Sequence, residues 1–230
     1  CQRYLPAHMD KFDAANGATG IVMDVKTGAI LGMASCPTFD LNDFSKVTDP
    51  KLVAAIEDSE DPATLADMQL RQWRNKCLND TYEPGSTFKI LTLSAALEEG
   101  VINSSTGFFC NGAITVSGET IHCSNTAGHG SQTLEQSVGN SCNPAFITYG
   151  LNLGREKFYE YMESFGLMDP TGIDMAGEAN GIFRNYSDFT QLDLACYAFG
   201  QNFNVTLIQQ ITAVSAVANG GYLVTPHLVS

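Results

Sequence analysis

Ser86 and Lys89 stand three residues apart, directly after Pro84-Gly85 and at the head of an apolar run. In a helix that spacing puts both side chains on one face. A serine hydroxyl is a weak nucleophile unless a base lies within hydrogen-bond reach. Lys89 is flanked by Phe88, Ile90 and Leu93. Desolvation among them, with the positive end of the helix dipole, lowers a lysine pKa and favours the neutral amine, which can take the serine proton. The N–H groups of a helix start are further donors for an oxyanion. Ser141-Cys142-Asn143 is a second set. Its serine could relay a proton between lysine and leaving group, and its amide could hold a substrate carbonyl. Each motif also has a purely structural reading. Ser86 could cap the helix while Lys89 reaches solvent, and Asn143 could be an N-cap ahead of Pro144 at N1. Taken singly, the two motifs leave both readings open.

The elements that must position these residues are legible in outline. Residues 86–99 form the strongest helical pattern, closed by Gly100 as a C-terminal cap. Its apolar residues go nearly all the way round, which predicts burial in the middle of a domain. Residues 20–25 and 29–34 are short apolar runs separated by Lys26-Thr27-Gly28, a hairpin signal. Residues 37–85 read as largely irregular, with an acidic stretch at 57–61 and one short helix near 64–74. Further helices are expected at 133–138, 144–151, 155–165 and 206–218, and a last strand at 222–229 after Asn219-Gly220-Gly221. Residues 1–16 read as the tail of a preceding helix or linker. Strands at both ends around a run of helices predict an α+β fold with an antiparallel sheet.

Composition narrows the function classes. A chain of 230 residues with 44% hydrophobic and 16% charged content is globular. A net charge of -13 with no Lys/Arg run argues against nucleic acid as a partner. No apolar run is long enough to span a membrane, and Cys1-Gln2-Arg3-Tyr4-Leu5 does not read as a signal peptide. If the protein is exported, its anchor is expected upstream. The seven cysteines, at 1, 36, 77, 110, 123, 142 and 196, include no C-x-x-C pair. Cys110 and Cys123 flank a turn-rich segment that reads as a hairpin, as two free thiols or as a local disulfide. A metal site built from Cys110, His122, Cys123 and His129 fits no common zinc spacing, so no metal or other cofactor is expected. His129, between Gly128 and Gly130, reads as structural, because no G-x-S-x-G elbow supports a triad with Ser86.

Context decides between the readings of the two motifs. Glu83-Pro84-Gly85-Ser86-Thr87-Phe88-Lys89 closely resembles the active-site segment of class B penicillin-binding proteins, the monofunctional transpeptidases of division, elongation and sporulation. Gly20 to Met33 resembles that family's opening hairpin, and Pro37-Thr38-Phe39-Asp40 with Asn42 the segment after it. Pro170-Thr171-Gly172-Ile173-Asp174, Phe199-Gly200-Gln201, Ala218-Asn219-Gly220-Gly221 and Thr225-Pro226 follow in the family's order. The resemblance implies a penicillin-binding transpeptidase / serine β-lactamase-like fold over residues 20–230, with residues 1–19 outside it.

By the same resemblance Ser86 is the nucleophile, Lys89 its general base, Ser141 the proton shuttle and Asn143 the substrate-positioning amide. Cys142 stands where the S-D-N form of the second motif has aspartate, a position that varies widely in such enzymes, and reads as a small buried residue. Lys26-Thr27-Gly28 spells K-T-G but precedes the serine, so it is read as a turn. The family's third motif, on a strand after S-x-N, is expected shortly after Val229. The implied substrates are peptidoglycan stem peptides ending in D-alanyl-D-alanine, with β-lactam antibiotics acylating the same serine. The implied location is the extracytoplasmic face of the bacterial membrane, beside division or sporulation membrane proteins. The rivals are a β-lactamase or β-lactam sensor of the same fold, and a non-catalytic scaffold in a cell-wall complex.

Overall fold

The computed structural model describes residues 3–12, 14 and 17–229. Cys1, Gln2 and Ser230, and residues 13, 15 and 16 of the expected leading tail, lie outside them. Within that tail Tyr4–Lys11 forms α1. The opening hairpin is present as β1 (Ala18–Met23) and β2 (Ile30–Cys36), paired antiparallel from Ala18↔Cys36 to Met23↔Ile30. Its turn is organised by Asp24, whose Oδ1 accepts the N–H groups of Lys26 at 2.8 Å and Thr27 at 3.1 Å. This is an Asx turn. Gly28, at φ +82°, closes it, and an added Cβ there would strike the Thr225 carbonyl. Lys26-Thr27-Gly28 is therefore a tightly packed turn.

Residues 37–85 are more ordered than the sequence suggests. Besides α3 (Thr64–Trp73) they contain α2 (Pro50–Glu57), α4 (Lys76–Asn79) and β3 (Thr81–Tyr82). The signal for α2 was in plain view. Asp49 caps it by accepting the Lys51 N–H, and Pro50 occupies its first turn.

The centre of the molecule is the segment after Gly85. Gly85–Phe88 is a 3-10 turn and α5 (Lys89–Glu98) continues from it. Phe88, Leu91 and Ala95 enter one core cluster with Phe158 and Met162 of α8 (Arg155–Ser164), Leu194 and Tyr197 of α9 (Gln191–Tyr197), and Ala213 of α10 (Leu207–Ala218). Ala96 enters a second with Phe146 and Tyr149 of α7 (Asn143–Leu153). Ile90 and Leu97 remain 41% and 43% exposed. The all-round apolar pattern thus overstated the burial of α5, because α7, α8 and α10 pack around only part of its circumference. Helices α6 (Leu134–Gly139), α9 and α10 each start with a capping box, at Thr133/Gln136, Thr190/Asp193 and Thr206/Gln209. Helix α9 was not anticipated.

Two expectations about strands need correction. Among the described residues the β structure is not one sheet. It is four two-stranded antiparallel ladders: β1–β2; β3 with β8 (Val205–Thr206); β4 (Gly107–Cys110) with β7 (Gly130–Thr133); and β5 (Ala113–Val116) with β6 (Glu119–His122). The α+β class itself stands. Residues 222–229 form no strand, and bridge to the hairpin at His227 and Ala29. Two of their N–H groups are engaged elsewhere: Leu228 and Val229 both donate to the Asp174 carboxylate, at 2.7 and 3.0 Å. Pro226 has no N–H to give a ladder. The expected landmarks gather at this place. Asn219 Nδ2 donates to the Val25 carbonyl at 2.8 Å, Gly28 abuts Thr225, and Asp174 grips 228–229.

Candidate active site

The turn that carries Ser86 is held from outside. The Gly85 N–H donates to the Gly200 carbonyl at 2.9 Å. Gly200, at φ +89°, approaches so closely that an added Cβ would collide with the Gly85 carbonyl, carbon and Cα. This is why the Phe199-Gly200-Gln201 landmark needs its glycine. The Asn202 N–H donates to Glu83 at 2.8 Å, and the Thr87 hydroxyl donates to the Pro84 carbonyl at 2.8 Å. Phe88 anchors the turn from below, edge-on to Phe203 at 4.8 Å between ring centroids.

Neither end of this segment has a side-chain cap, so Ser86 is not a helix cap. Its side chain lies at the surface of the turn. The 3-10 geometry has three residues per turn, which stacks Ser86 and Lys89 on one side more closely than an α-helix would. The Lys89 N–H closes the turn by donating to the Ser86 carbonyl.

Lys89 does not reach solvent. It is 4% exposed, and its Nζ donates to the Ser141 carbonyl at 2.7 Å, the Ser141 hydroxyl at 2.9 Å and Asn143 Oδ1 at 2.7 Å. Nζ also lies 5.3 Å from the Phe146 ring centroid. Burial lowers its pKa from 10.5 to about 8, opposed in part by the nearby Cys123 and Cys142 sulfurs. Two of the three acceptors, the carbonyl and the amide oxygen, can only accept. The Ser141 hydroxyl can also donate, so it can return a hydrogen bond to the neutral amine.

The S-x-N turn is set up by the end of α6. The Ser141 N–H donates to the Val138 carbonyl and the Cys142 N–H to the Ser137 carbonyl. These are the two bonds of a Schellman cap, with Ser141 in the left-handed position normally given to glycine. Its φ is +48°. A serine there costs about 1–2 kcal/mol in backbone conformation, and it points both its carbonyl and its hydroxyl at Lys89. Cys142 is fully buried. Asn143 begins α7, yet its side chain makes no cap. Instead its Nδ2 donates to the His122 carbonyl at 3.2 Å and its Oδ1 faces Lys89. The N-cap reading of Asn143 is therefore overturned: the amide is committed to the lysine and to β6.

Lys89, Ser141 and Asn143 thus form one bonded group, one turn below Ser86. Gly200, Glu83 and Asn202 were not singled out as individual site residues. A positive-φ glycine in a landmark segment was the available signal for Gly200; nothing local marks the contact of Glu83 with Asn202. Of the two readings of Cys110 and Cys123, the free thiols hold. Cys36, Cys77, Cys110, Cys123, Cys142 and Cys196 are free thiols, so no disulfide joins Cys110 to Cys123. Their Sγ atoms nonetheless converge, with that of Cys142 and a ring nitrogen of His129, to within 4.8 Å of one another. His122 is not in the group.

Comparison with known proteins gives the family. The family model described as the penicillin binding protein transpeptidase domain matches residues 18–230. Stage V sporulation protein D of Bacillus subtilis is 42% identical over 214 residues, 93% of this chain and 30% of that protein. Penicillin-binding protein PbpB of Mycolicibacterium smegmatis is 29% identical over 94% of this chain and 30% of its own length. The chain therefore spans less than a third of these relatives. Among solved structures, penicillin binding protein 3 of Mycobacterium tuberculosis, complexed with aztreonam, superposes with a TM-score of 0.75 at 27% identity, covering 92% of this chain and 43% of that one. On the match over residues 18–230 and the shared fold, the chain belongs to the penicillin-binding protein transpeptidase domain family, of the class B kind.

Proposed function

We propose that this chain carries the acyl-transfer site of a peptidoglycan D,D-transpeptidase, with Ser86 as nucleophile. The observation that carries the reading is the buried Lys89 amine, lowered toward neutrality and bonded to both Ser141 and Asn143. A scaffold protein has no use for a desolvated lysine held by a serine in a left-handed conformation.

In the first half-reaction Ser86 Oγ attacks the carbonyl of the penultimate D-alanine of a stem peptide. Lys89, as the neutral amine, takes the hydroxyl proton. The C–N bond breaks, and the terminal D-alanine leaves with a proton passed through the Ser141 hydroxyl. Backbone N–H groups of the Ser86 turn stabilise the tetrahedral oxyanion, and the second N–H of Asn143 Nδ2, the one not given to the His122 carbonyl, holds the peptide carbonyl next to the reacting one. In the second half-reaction an acceptor amine attacks the Ser86 ester, the ester C–O bond breaks, and the proton returns to Ser86. A β-lactam ring opens on the same serine by the first step alone. No cofactor takes part.

The whole protein is read as working at the extracytoplasmic face of the membrane, anchored by a segment preceding these residues and accompanied by division or sporulation membrane proteins. Among the described residues no helix is long and apolar enough to cross a membrane.

The test is intact mass after incubation with benzylpenicillin, for the natural full-length protein and its Ser86→Ala variant. One stable penicilloyl adduct, absent from the variant, supports the reading. Rapid release of penicilloic acid would instead make the protein a β-lactamase. No adduct and no turnover, with the fold intact, would leave only the scaffold.

A further inference from the structure

Beside the acyl-transfer group lies a second cluster that the reaction does not use. Cys110 ends β4, Cys123 follows β6, His129 precedes β7 and Cys142 stands at the start of α7. The pairing of Cys110 with Gly130 and of Ala113 with His122 folds these strand ends onto one point. All three cysteines are buried, at 1%, 3% and 0% exposure. Sequence spacing hid the set, because the ligands come from four elements and the third sulfur belongs to the S-x-N turn.

We infer that Cys110, Cys123, His129 and Cys142 form a structural zinc site of the Cys3His type, which staples the two small β ladders to the turn carrying Ser141 and Asn143. The geometry is close to what zinc requires. Tetrahedral zinc with Zn–S about 2.3 Å and Zn–N about 2.0–2.1 Å places sulfur and nitrogen roughly 3.6 Å apart. Cys123 Sγ and His129 Nδ1 are 3.6 Å apart, and the whole set lies within 4.8 Å. A closure of about 1 Å by rotation of side chains completes the tetrahedron.

Two backbone N–H groups and one buried amide face the sulfurs. The N–H groups of His129 and Gly112 face the Cys110 sulfur. Gly112, at φ +97°, and Gly128, at φ +84°, let the flanking loops pass each other where a Cβ would strike backbone. Gln132 is 5% exposed, its Oε1 accepts from Asn140 at 2.8 Å, and its Nε2 has no partner. That amide adjoins the Cys142 sulfur. A buried donor without an acceptor is costly, and a zinc-bound thiolate supplies the acceptor, as outer-shell N–H groups do in metal sites.

The fold has a use for such a staple. Two-stranded ladders of four residues are marginal by themselves. These two also carry the His122 carbonyl to which Asn143 is tied. Binding is not a redox step. Zn²⁺ replaces three thiol protons, which go to solvent, and leaves three thiolates and a neutral imidazole with net charge -1.

The test uses the natural full-length protein, purified with reductant and with its thiols counted. Bound zinc is measured by elemental analysis, and Co²⁺ is then exchanged in. The expected result is one zinc per chain. Co²⁺ should give the intense visible bands of tetrahedral coordination together with sulfur-to-cobalt charge transfer. Cys110→Ser should lose both, while Cys36→Ser, a buried thiol outside the cluster, should keep them. The cobalt spectrum of the unmutated protein keeps the test valid if Cys110→Ser fails to fold. A fully reduced, folded protein that takes up neither metal would overturn the inference, as would octahedral cobalt without thiolate bands. Acylation by benzylpenicillin is read separately, so failure here leaves the transpeptidase reading standing.

Discussion

The sharpest prediction concerns the pH dependence of acylation. The base must be neutral to accept the Ser86 proton, and burial places the Lys89 pKa at about 8. The neutral fraction is then about 1% at pH 6, 9% at pH 7, 50% at pH 8 and 91% at pH 9. The second-order rate of acylation by benzylpenicillin should climb roughly ninefold from pH 6 to 7, about fivefold from 7 to 8, and less than twofold from 8 to 9. A lysine at its ordinary 10.5 would still gain about tenfold between pH 8 and 9. The assay is stopped-flow or gel-based acylation with a labelled penicillin, corrected at each pH with Ser86→Ala. A profile flat from pH 6 to 8, or one still rising tenfold above pH 8, would refute the assignment of Lys89 as base. The same residue links folding to pH. Its folded pKa lies below the unfolded one, so the unfolded chain binds more protons between pH 8 and 10.5. The contribution of Lys89 to stability is full above 10.5 and is lost as pH falls toward 8, with a slope of up to about 1.4 kcal/mol per pH unit. In Lys89→Met both the acylation and that slope should vanish.

Two substitutions test the geometry around the lysine. Ser141→Gly and Ser141→Ala both remove the hydroxyl, and both should slow acylation by roughly 10²-fold or more. They should differ in stability, because only alanine suffers at φ +48°. The glycine variant should melt about 2–4 °C higher, for a difference of about 1 kcal/mol, and equal melting temperatures in calorimetry would contradict the left-handed cap. Gly200→Ala should cost at least ~2 kcal/mol, since its Cβ meets the Gly85 backbone and its φ is +89°. Acylation should fall with it, because the Ser86 turn has to move. Unchanged melting and acylation would show that this contact does not hold the turn.

Much of the local structure was written in the sequence, because the signals that set it are themselves local. The hairpin 18–36 follows from two apolar runs around an Asp-x-Lys-Thr-Gly turn, and the α6 and α10 starts from threonine caps. The segment from Glu83 to Lys89 also carried enough family character to name the fold, and the match over residues 18–230 bears that out. Where local signals went unheeded, elements were missed: Asp49-Pro50 at α2 and the Thr190 capping box at α9.

What tertiary structure decided was which residues meet. Residues 222–229 have the composition of a strand, but two of their N–H groups go to Asp174, a partner distant in sequence. Asn143 has the look of an N-cap, but a buried amine from α5 claims its oxygen and the His122 carbonyl its nitrogen. Ser141 carries the cost of a left-handed backbone whose use appears only once Lys89 lies above it. The cysteines show the same limit, since no spacing rule brings Cys142 to Cys110, whereas the closure of two ladders against α7 does. Propensity and capping act over a few residues, so they can be read along the chain. Desolvation and hydrogen-bond competition act between segments, and they exist only when the chain has folded.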